Sequence, residues 1–219
     1  MFSKRLIELA SLIPTHSTVV DVGCDHALLD IYLTINRHCK CTASDISENC
    51  LEKAKLNLKK FKLEKEIPLV LSDGLNNVEY NNSDYIVIAG MGTETILKIL
   101  ENCTADNIIV QTNTDIFDFR ETITDNFIIE NEKVVYDKKV FYVLMKLKRG
   151  KKKYNYSDYL IGPVIKKQKT GVYKKYKEYL FDKYSEIYNN LKNISFSIEK
   201  MNKRLEIKAY LNMIKRYSK

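Results

Sequence analysis

Residues 18–26 read TVVDVGCDH, a short β-branched run that ends in glycine. This pattern predicts a buried strand followed by a tight turn, because β-branched side chains favour extended backbone and glycine has no Cβ to obstruct the turn. Residues 27–36 carry apolar side chains at helical spacing and predict a helix. Strand, glycine turn and helix in this order are typical of the start of a parallel α/β sheet.

The alternation of strand and helix continues through most of the chain. Strand-like runs occupy 41–46, 68–71, 85–89 and 107–111, and helices fit between them, the clearest at 93–100. Two more strand-like runs, 127–136 and 140–148, have no helix between them and predict an antiparallel pair. The predicted fold is therefore α/β, a doubly wound sheet with the Rossmann-like outline of a class I methyltransferase.

The pattern changes at Gly150, which precedes three lysines. We expect a methyltransferase-like domain at 1–150 and a helical, coiled-coil-like domain at 151–219. Eight apolar residues in the second part recur at spacings of four and three and predict a buried seam. They are Leu180, Tyr184, Ile187, Leu191, Ile194, Ile198, Met201 and Leu205. Both one long helix and an antiparallel hairpin fit this spacing, because Asn189, Asn190, Asn193 and Ser195 weaken the helical pattern.

Charge is distributed unevenly along the chain. Residues 1–150 hold 18 Lys and Arg against 22 Asp and Glu, a balance of −4. Residues 151–219 hold 18 against 6, a balance of +12. A biased genome composition would raise the lysine content everywhere, yet the first part is acidic. The asymmetry therefore favours polyanion binding by the second part over a merely solvated lysine-rich surface.

Other features of the sequence indicate the cellular compartment of the protein and whether it binds a metal. No window of about eighteen uncharged apolar residues occurs, so we expect no membrane span, and the N-terminus predicts an amphipathic helix rather than a signal peptide. The five cysteines include no CxxC pair, which indicates a reducing, cytoplasmic compartment. His38, Cys39 and Cys41 suit tetrahedral zinc poorly, so no metal is expected.

Acidic residues stand at the ends of the first three predicted strands. Because the carboxyl ends of parallel strands meet at one edge of a sheet, Asp21, Asp45 and Asp73 should face one cleft. Asp45 suits ribose hydroxyls, and Asp73 suits an adenine amino group. Asp25 stands where a second glycine would normally follow Gly23. Its carboxylate would repel a phosphate and suits a cation such as the sulfonium of S-adenosylmethionine. Alternatively, Asp25 caps the next helix.

Glycines at the same strand ends leave backbone accessible to a ligand. Gly23 and Gly74 follow the first and third strands, and AGMG at 89–92 ends the fourth. Neither GxGxxG nor GxxxxGK[ST] occurs, so the sequence shows no obvious loop for binding a pyrophosphate or triphosphate. The [ND]PP[YFW] motif of enzymes that methylate exocyclic amino groups is also missing, as is a Pro-Cys nucleophile. A ring nitrogen with its own lone pair fits this pattern best.

These motifs, in order, resemble those of the bacterial tRNA adenine-N1 methyltransferases that act at tRNA position 22. The resemblance covers about residues 1–148 and is carried by KRLIELASLIP (4–14), DVGCDHALLDIYL (21–33), TASDI (42–46), LSDGL (71–75), DYIVIAGMG (84–92) and IIVQTN (108–113). The family usually has serine at the position of Cys24 and proline at that of Asp30. It usually reads GMGG where this chain reads GMGT, ending in Thr93, and QPN where this chain reads QTN, with Thr112 in the middle. These departures concern substrate detail rather than cofactor use.

The resemblance implies methyl transfer from S-adenosylmethionine to N1 of adenine 22 in tRNA, and we expect a monomer. The expected cofactor-binding residues are Asp21, Gly23, Cys24, Asp45, Ile46, Asp73, Gly74, Ala89, Gly90 and Met91. The expected catalytic residues are Asp25, His26 and Asn113. The expected RNA-binding residues are Lys151, Lys152, Lys153, Lys166, Lys167 and Lys169.

The predicted reaction is in-line attack of adenine N1 on the methyl group, with carboxylates such as Asp25 stabilising the cationic product. His26 either contacts the base or cofactor or is an ordinary loop histidine. Asn113 either binds the adenine edge or caps the next helix, a role for which Asp115 competes.

Three other functions are alternatives, and the sequence argues against the second and third of them. A methyltransferase of another RNA site, a protein or a small molecule would use the same cleft, with the apolar seam serving dimerisation. A non-catalytic RNA-binding protein would have no need of three acids at strand ends. An NAD-dependent oxidoreductase would be expected to carry GxGxxG.

Overall fold

The computed structural model describes residues 2–192 and 198–217. The chain divides into two compact units, Met1–Lys153 and Tyr154–Lys219. The division lies three residues after the boundary expected from the sequence, so Lys151, Lys152 and Lys153 end the first unit.

The first unit alternates strands and helices. Its strands are β1 (Thr18–Val22), β2 (Lys40–Asp45), β3 (Leu69–Leu71), β4 (Tyr85–Met91), β5 (Asn107–Thr112), β6 (Phe127–Asp137) and β7 (Val140–Arg149). Its helices are α1 (Lys4–Ala10), α2 (Leu28–Arg37), α3 (Glu48–Phe61), α4 (Thr93–Leu100) and α5 (Ile116–Ile123). The predicted strands are thus confirmed, with boundaries that differ by one or two residues.

All seven strands form one sheet in the order β3-β2-β1-β4-β5-β7-β6. The pairs among β1 to β5 are parallel, whereas β7 runs antiparallel to both β5 and β6. This confirms the doubly wound sheet and its closing antiparallel pair. The expectation of a helix between every pair of parallel strands was wrong for β3 and β4, because the link 72–84 is rich in Asn, Asp and Ser, which favour turns over helix.

The core of the first unit lies on both faces of this sheet. The central strands are apolar throughout, and residues such as Ile86, Val87 and Ile109 are fully buried. Helix α2 contacts both α1 and α3, and α4 contacts α5. A buried ion pair adds to this packing, since Arg120 Nε of α5 lies 2.8 Å from Glu132 Oε1 of β6.

The second unit is helical. It contains α6 (Tyr156–Ile161), a 3₁₀ turn (Ile165–Lys167), α7 (Gly171–Lys192) and α8 (Ile198–Arg216). Three pairs of residues show that α7 and α8 are antiparallel: Phe181 with Lys215, Tyr184 with Tyr210, and Tyr188 with Arg204, at 5.0–5.9 Å. Of the two arrangements that the sequence allowed, the structure therefore has the helical hairpin.

The predicted apolar seam is only partly correct. Leu180 is buried, but Met201 and Leu205 are 41% and 59% exposed. The residues of α8 that are buried instead are Ile207, Tyr210 and Ile214. The chain reverses between the two helices, so the heptad phase of α7 does not carry over into α8. Ile194, Asn193, Ser195 and the side chain of Ile198 lie outside the described residues.

Candidate active site

A cleft of about 800 Å³ opens at the carboxyl ends of the central strands of the first unit. The order of strands reverses between β1 and β4, and such switch points are where doubly wound sheets bind ligands. The thirteen residues assigned by sequence to the cofactor or to catalysis all line this cleft. They are Asp21, Gly23, Cys24, Asp25, His26, Asp45, Ile46, Asp73, Gly74, Ala89, Gly90, Met91 and Asn113.

The turn after β1 requires glycine. Gly23 has a φ of +76°, and a Cβ built there would lie 2.1 Å from Met91 Cε. The Gly23 and Cys24 amides both donate to the carbonyl of Ser44, at 2.8 and 2.9 Å, which ties this turn to the end of β2. The backbone after β1 therefore follows the wall of the cleft closely, in a left-handed conformation at position 23 that favours glycine.

Asp45 is held in place by the backbone around it. Its Oδ2 accepts from the Asp25 amide at 3.0 Å, and its Oδ1 accepts from the Ser47 amide at 2.9 Å. A carboxylate has about four lone-pair directions. Both oxygens can therefore accept further hydrogen bonds from a ligand, from a position that two backbone contacts have already fixed.

Asp25 and His26 lie side by side on an open part of the cleft wall. Asp25 Oδ1 lies 3.3 Å from His26 Nε2, and their side chains are 68% and 39% exposed. The residue that precedes α2 is Ala27, and no side chain caps that helix. The alternative reading of Asp25 as a helix cap was therefore wrong, and its carboxylate faces the cleft.

Asn113 is fixed by two side-chain contacts. Its Nδ2 donates to the Gly90 carbonyl at 2.7 Å, and its Oδ1 accepts from Gln111 Nε2 at 2.9 Å. Asp115 is the residue before α5, and it makes no side-chain capping bond. The helix-capping alternative for Asn113 is thus not what the structure contains.

The loop after β3 is shaped by Ser72. The buried Ser72 hydroxyl donates to the Gly74 carbonyl at 3.0 Å and accepts from the Asn77 amide at 3.1 Å. Gly74 has a φ of +59°, and a Cβ there would lie 3.1 Å from Ile99 Cγ1. This loop leaves Asp73 exposed at the rim of the cleft.

A buried carboxyl pair lies beneath the cleft. Burial and the neighbouring Asp30 carboxyl raise the pKa of Asp21 well above its usual range, and burial raises the pKa of Asp30 to about 7. Burial and the nearby carboxylates, Asp21 first among them, also raise the pKa of the Cys24 thiol, which keeps it neutral. Sequence reasoning missed this role of Asp30, because an acid between apolar residues of α2 gives no local sign of its partner.

Sequence reasoning also missed one whole wall of the cleft, formed by α1 and the β6–β7 turn. Arg5 Nη1 donates to Gln111 Oε1 at 2.7 Å, and the Arg5 amide donates to Asp137 Oδ2 at 3.1 Å. The Arg5 guanidinium lies 5.2 Å from the centre of the Tyr142 ring. Lys138 completes this wall. Its residues are far apart in sequence, so no motif could have joined them.

The six lysines expected to bind RNA have different surroundings. Lys151, Lys152, Lys153, Lys167 and Lys169 are exposed. The side chain of Lys166 is only 13% exposed and forms an ion pair with Asp158, and its ammonium lies 5.3 Å from the Tyr217 ring centre. Lys166 therefore has a structural role inside the second unit that the sequence did not indicate.

Within residues 2–192 and 198–217, no three His, Cys, Asp or Glu side chains are grouped so as to hold a metal ion. In the same part of the chain, no helix has both the length and the apolar character that a membrane crossing requires.

Comparison with known proteins decides the family. The model of the family TrmK: tRNA (adenine(22)-N(1))-methyltransferase matches residues 19–216. The chain belongs to this family. Its resemblance to the tRNA adenine-N1 methyltransferases is thus confirmed, and the match extends through the helical unit, where the sequence motifs had not reached.

Three relatives in this family are informative. The Bacillus subtilis tRNA (adenine(22)-N(1))-methyltransferase is 28% identical over 186 residues, which are 79% of this chain and 78% of that protein. The structure of M. capricolum TrmK with S-adenosyl-homocysteine is 32% identical, has a TM-score of 0.83 and covers 100% of this chain and 98% of that one. The structure of Streptococcus pneumoniae Sp1610 with S-adenosyl-L-methionine is 26% identical, has a TM-score of 0.86 and covers 100% of both chains.

Proposed function

We infer that this protein transfers a methyl group from S-adenosylmethionine to N1 of adenine 22 in tRNA. The observation that carries this inference is the family match over residues 19–216, which spans the strand ends that line the cleft and the helical hairpin. Relatives in the same family have been solved with S-adenosylmethionine or its product in place.

The residues of the cleft fit S-adenosylmethionine. Asp45 is oriented to accept hydrogen bonds from ribose hydroxyls, and the exposed Asp73 is placed at the rim for an adenine amino group. The exposed carboxylate of Asp25 adds negative charge near the turn at Gly23, which suits an ammonium or sulfonium group and disfavours a phosphate. We assign cofactor binding to the ten residues named for it from the sequence.

When bound, the cofactor supplies an electrophilic methyl group. The target N1 has its own lone pair, so the protein needs no general base to create the nucleophile. The role of the protein is to hold the base in the orientation in which N1 can react. In favourable intramolecular models, such positioning lowers the activation barrier by up to roughly 7–11 kcal/mol. Methylation makes the adenine cationic, and the exposed carboxylate of Asp25 beside His26 is placed to stabilise that charge.

The helical unit is proposed to hold the tRNA backbone. Residues 154–219 carry 15 Lys and Arg against 6 Asp and Glu, a balance of +9. Lysines that contact phosphates contribute affinity without reading sequence, and the same energy offsets the few kcal/mol needed to unstack the target base. We assign RNA binding to Lys151, Lys152, Lys153, Lys167 and Lys169, and we leave out Lys166 because it is paired with Asp158. A cytoplasmic monomer is the form proposed to act.

The experiment that tests this function uses purified protein, labelled S-adenosylmethionine and an unmodified tRNA transcript. The transcript is digested after reaction, and the labelled nucleoside is identified by mass spectrometry. 1-Methyladenosine is the expected product. N6-methyladenosine or a methylated guanosine would contradict the proposed chemistry. Absence of transfer to RNA, despite binding of the cofactor, would favour a protein or small-molecule substrate.

A further inference from the structure

Arg5 of α1 contacts a buried glutamine in β5. Its Nη1 donates to Gln111 Oε1 at 2.7 Å, and Gln111 is only 1% exposed. The position of Arg5 is fixed independently, because its backbone amide donates to Asp137 and its guanidinium lies against the Tyr142 ring. A guanidinium can only donate hydrogen bonds, so the oxygen of the Gln111 amide must face Arg5 and the nitrogen must face away.

This orientation determines that of Asn113. Gln111 Nε2 donates to Asn113 Oδ1 at 2.9 Å and to the Thr112 carbonyl at 2.8 Å. With its oxygen occupied in this way, Asn113 directs Nδ2 to the Gly90 carbonyl at 2.7 Å. Reversing either amide would place two oxygens or two N–H groups against each other. The two amides therefore have one arrangement in which every contact joins a donor to an acceptor.

Asn113 is exposed in the cleft with hydrogen-bonding capacity to spare. Its contacts with Gly90 and Gln111 use one N–H and one lone pair, whereas a primary amide has two of each. The N6–N7 edge of adenine offers an amino donor beside a ring-nitrogen acceptor, and asparagine pairs with that edge in other adenine complexes. Binding there leaves N1, which lies on the Watson–Crick edge, free to react.

We propose that Arg5 is a positioning residue that acts through Gln111 to orient the Asn113 amide for binding the N6–N7 edge of the target adenine. The proposal rests on methylation of adenine N1 as the function. It extends the site beyond the strand ends to the N-terminal helix, since Arg5 lies 106 residues from Gln111 in sequence. Asn113 contacts the substrate, and Arg5 acts only through the amides.

Three variants test this relay. Arg5→Met keeps the apolar contact with Tyr142 but removes the donor, and Arg5→Lys keeps a donor and the charge. Gln111→Glu leaves Arg5 and its charge in place, but the glutamate cannot donate to Asn113. We expect kcat on tRNA to fall at least about tenfold in Arg5→Met and Gln111→Glu, an effect of about 1.4 kcal/mol. Arg5→Lys is expected to retain kcat within about threefold of the wild type, a difference under 1 kcal/mol.

Three further measurements separate this role from a structural one. The dissociation constant of S-adenosylmethionine and the melting temperature are expected to change little in a variant whose kcat has fallen. The side-chain amide resonances of Asn113 in ¹⁵N–¹H spectra should shift in Arg5→Met and Gln111→Glu but not in Arg5→Lys. Wild-type kcat in the first two variants would overturn the proposal, as would a weakening of cofactor affinity that accounts for the whole decrease in rate.

The same assays distinguish failure of this inference from failure of the proposed function. If the wild-type protein makes 1-methyladenosine and the variants do so equally well, only the role of Arg5 is wrong. If the wild-type protein makes no 1-methyladenosine from any tRNA, the proposed function fails and the relay fails with it.

Discussion

The carboxyl groups of Asp21 and Asp30 face each other below the floor of the cleft, and both are buried. Among residues 2–192 and 198–217, no other group provides a hydrogen-bond partner for either oxygen of Asp30. Two carboxyls in such contact are stabilised when they share one proton, because two buried negative charges repel each other strongly. Asp45 opposes ionisation of Asp21 further, whereas Arg5 favours it. The first unit therefore carries a proton that an exposed aspartate would have released.

This pair predicts a pH dependence of stability. In the folded state Asp30 keeps its proton up to about pH 7, and the pair then holds one shared proton, because the pKa of Asp21 is raised well above its usual range; the unfolded chain releases both protons near pH 4. Between these values the folded state binds more protons, so raising the pH lowers the free energy of unfolding. Asp30→Asn removes one of the two titrating carboxyls, so it should reduce this decline and raise stability at pH 8 by on the order of 2 kcal/mol.

Denaturant unfolding at pH 5 and pH 8 measures this effect. Asp118→Asn, at an exposed position on α5, is the matched control and should follow the wild-type pH dependence. Identical pH dependence in Asp30→Asn and the wild type would show that the pair holds no proton.

Thr93 and Thr112, two departures from the usual family pattern, contact each other. Their hydroxyl oxygens lie 2.9 Å apart, and Thr112 Oγ1 also donates to the Thr114 carbonyl at 2.8 Å. Thr93→Val and Thr112→Val should each lower the free energy of unfolding by about 1 kcal/mol. Because both substitutions remove the same hydrogen bond, the double variant should be destabilised by less than the sum of the two, with a difference of about 0.5–1 kcal/mol.

Thermal or denaturant unfolding of the four proteins of this cycle gives the coupling. Thr122→Val, at an exposed position on α5, controls for the substitution itself. Strict additivity of the two single effects would mean that the hydroxyl pair contributes nothing.

Gly23 is predicted to be required for cofactor binding. Gly23→Ala places a Cβ 2.1 Å from Met91 Cε and forces alanine into a left-handed conformation, at a cost of about 1–2 kcal/mol before Met91 moves. Affinity for S-adenosylmethionine should fall at least about tenfold, which corresponds to 1.4 kcal/mol. Calorimetric titration measures it. Gly171→Ala is the matched control, because a Cβ there meets nothing within 4 Å; equal affinities in the two variants would contradict the assignment.

The lysines at the end of the first unit are predicted to bind RNA through phosphates. Replacing Lys151, Lys152 and Lys153 together by Gln should weaken tRNA binding and reduce the slope of log affinity against log salt by about 0.9 for each phosphate that is no longer neutralised. Affinity for S-adenosylmethionine should not change. The matched control replaces three exposed lysines of α3, Lys53, Lys55 and Lys59, by Gln. An equal weakening of RNA binding in both triple variants would refute a specific role for residues 151–153.

The strand ends of the cleft were predictable because they depend on local signals. A β-branched run that ends in Gly23 specifies both a buried strand and a turn, and the topology of a parallel sheet then brings Asp21, Asp45 and Asp73 to one edge. Each of these steps uses residues that are close in sequence, together with one general rule of sheet geometry.

The remaining features depend on contacts between distant segments. Arg5 reaches Gln111 only because α1 packs beside the end of β6, and the burial of Asp30 follows from the way α2 lies on the sheet. Met201 and Leu205 continue the apolar spacing of α7, but the reversal of the chain gives α8 a different buried face. Periodicity indicates that a helix has an apolar stripe, and it does not indicate which neighbouring segment will cover it.

Methyl transfer to two tRNA transcripts that differ only at position 22 tests the central claim most directly. One transcript carries adenine at that position, and the other carries guanine. Incorporation of labelled methyl into 1-methyladenosine at position 22 of the first transcript, and none into the second, is the result that this account predicts. Equal incorporation into both transcripts would place the methyl group elsewhere and would contradict the assignment of adenine 22 as the target.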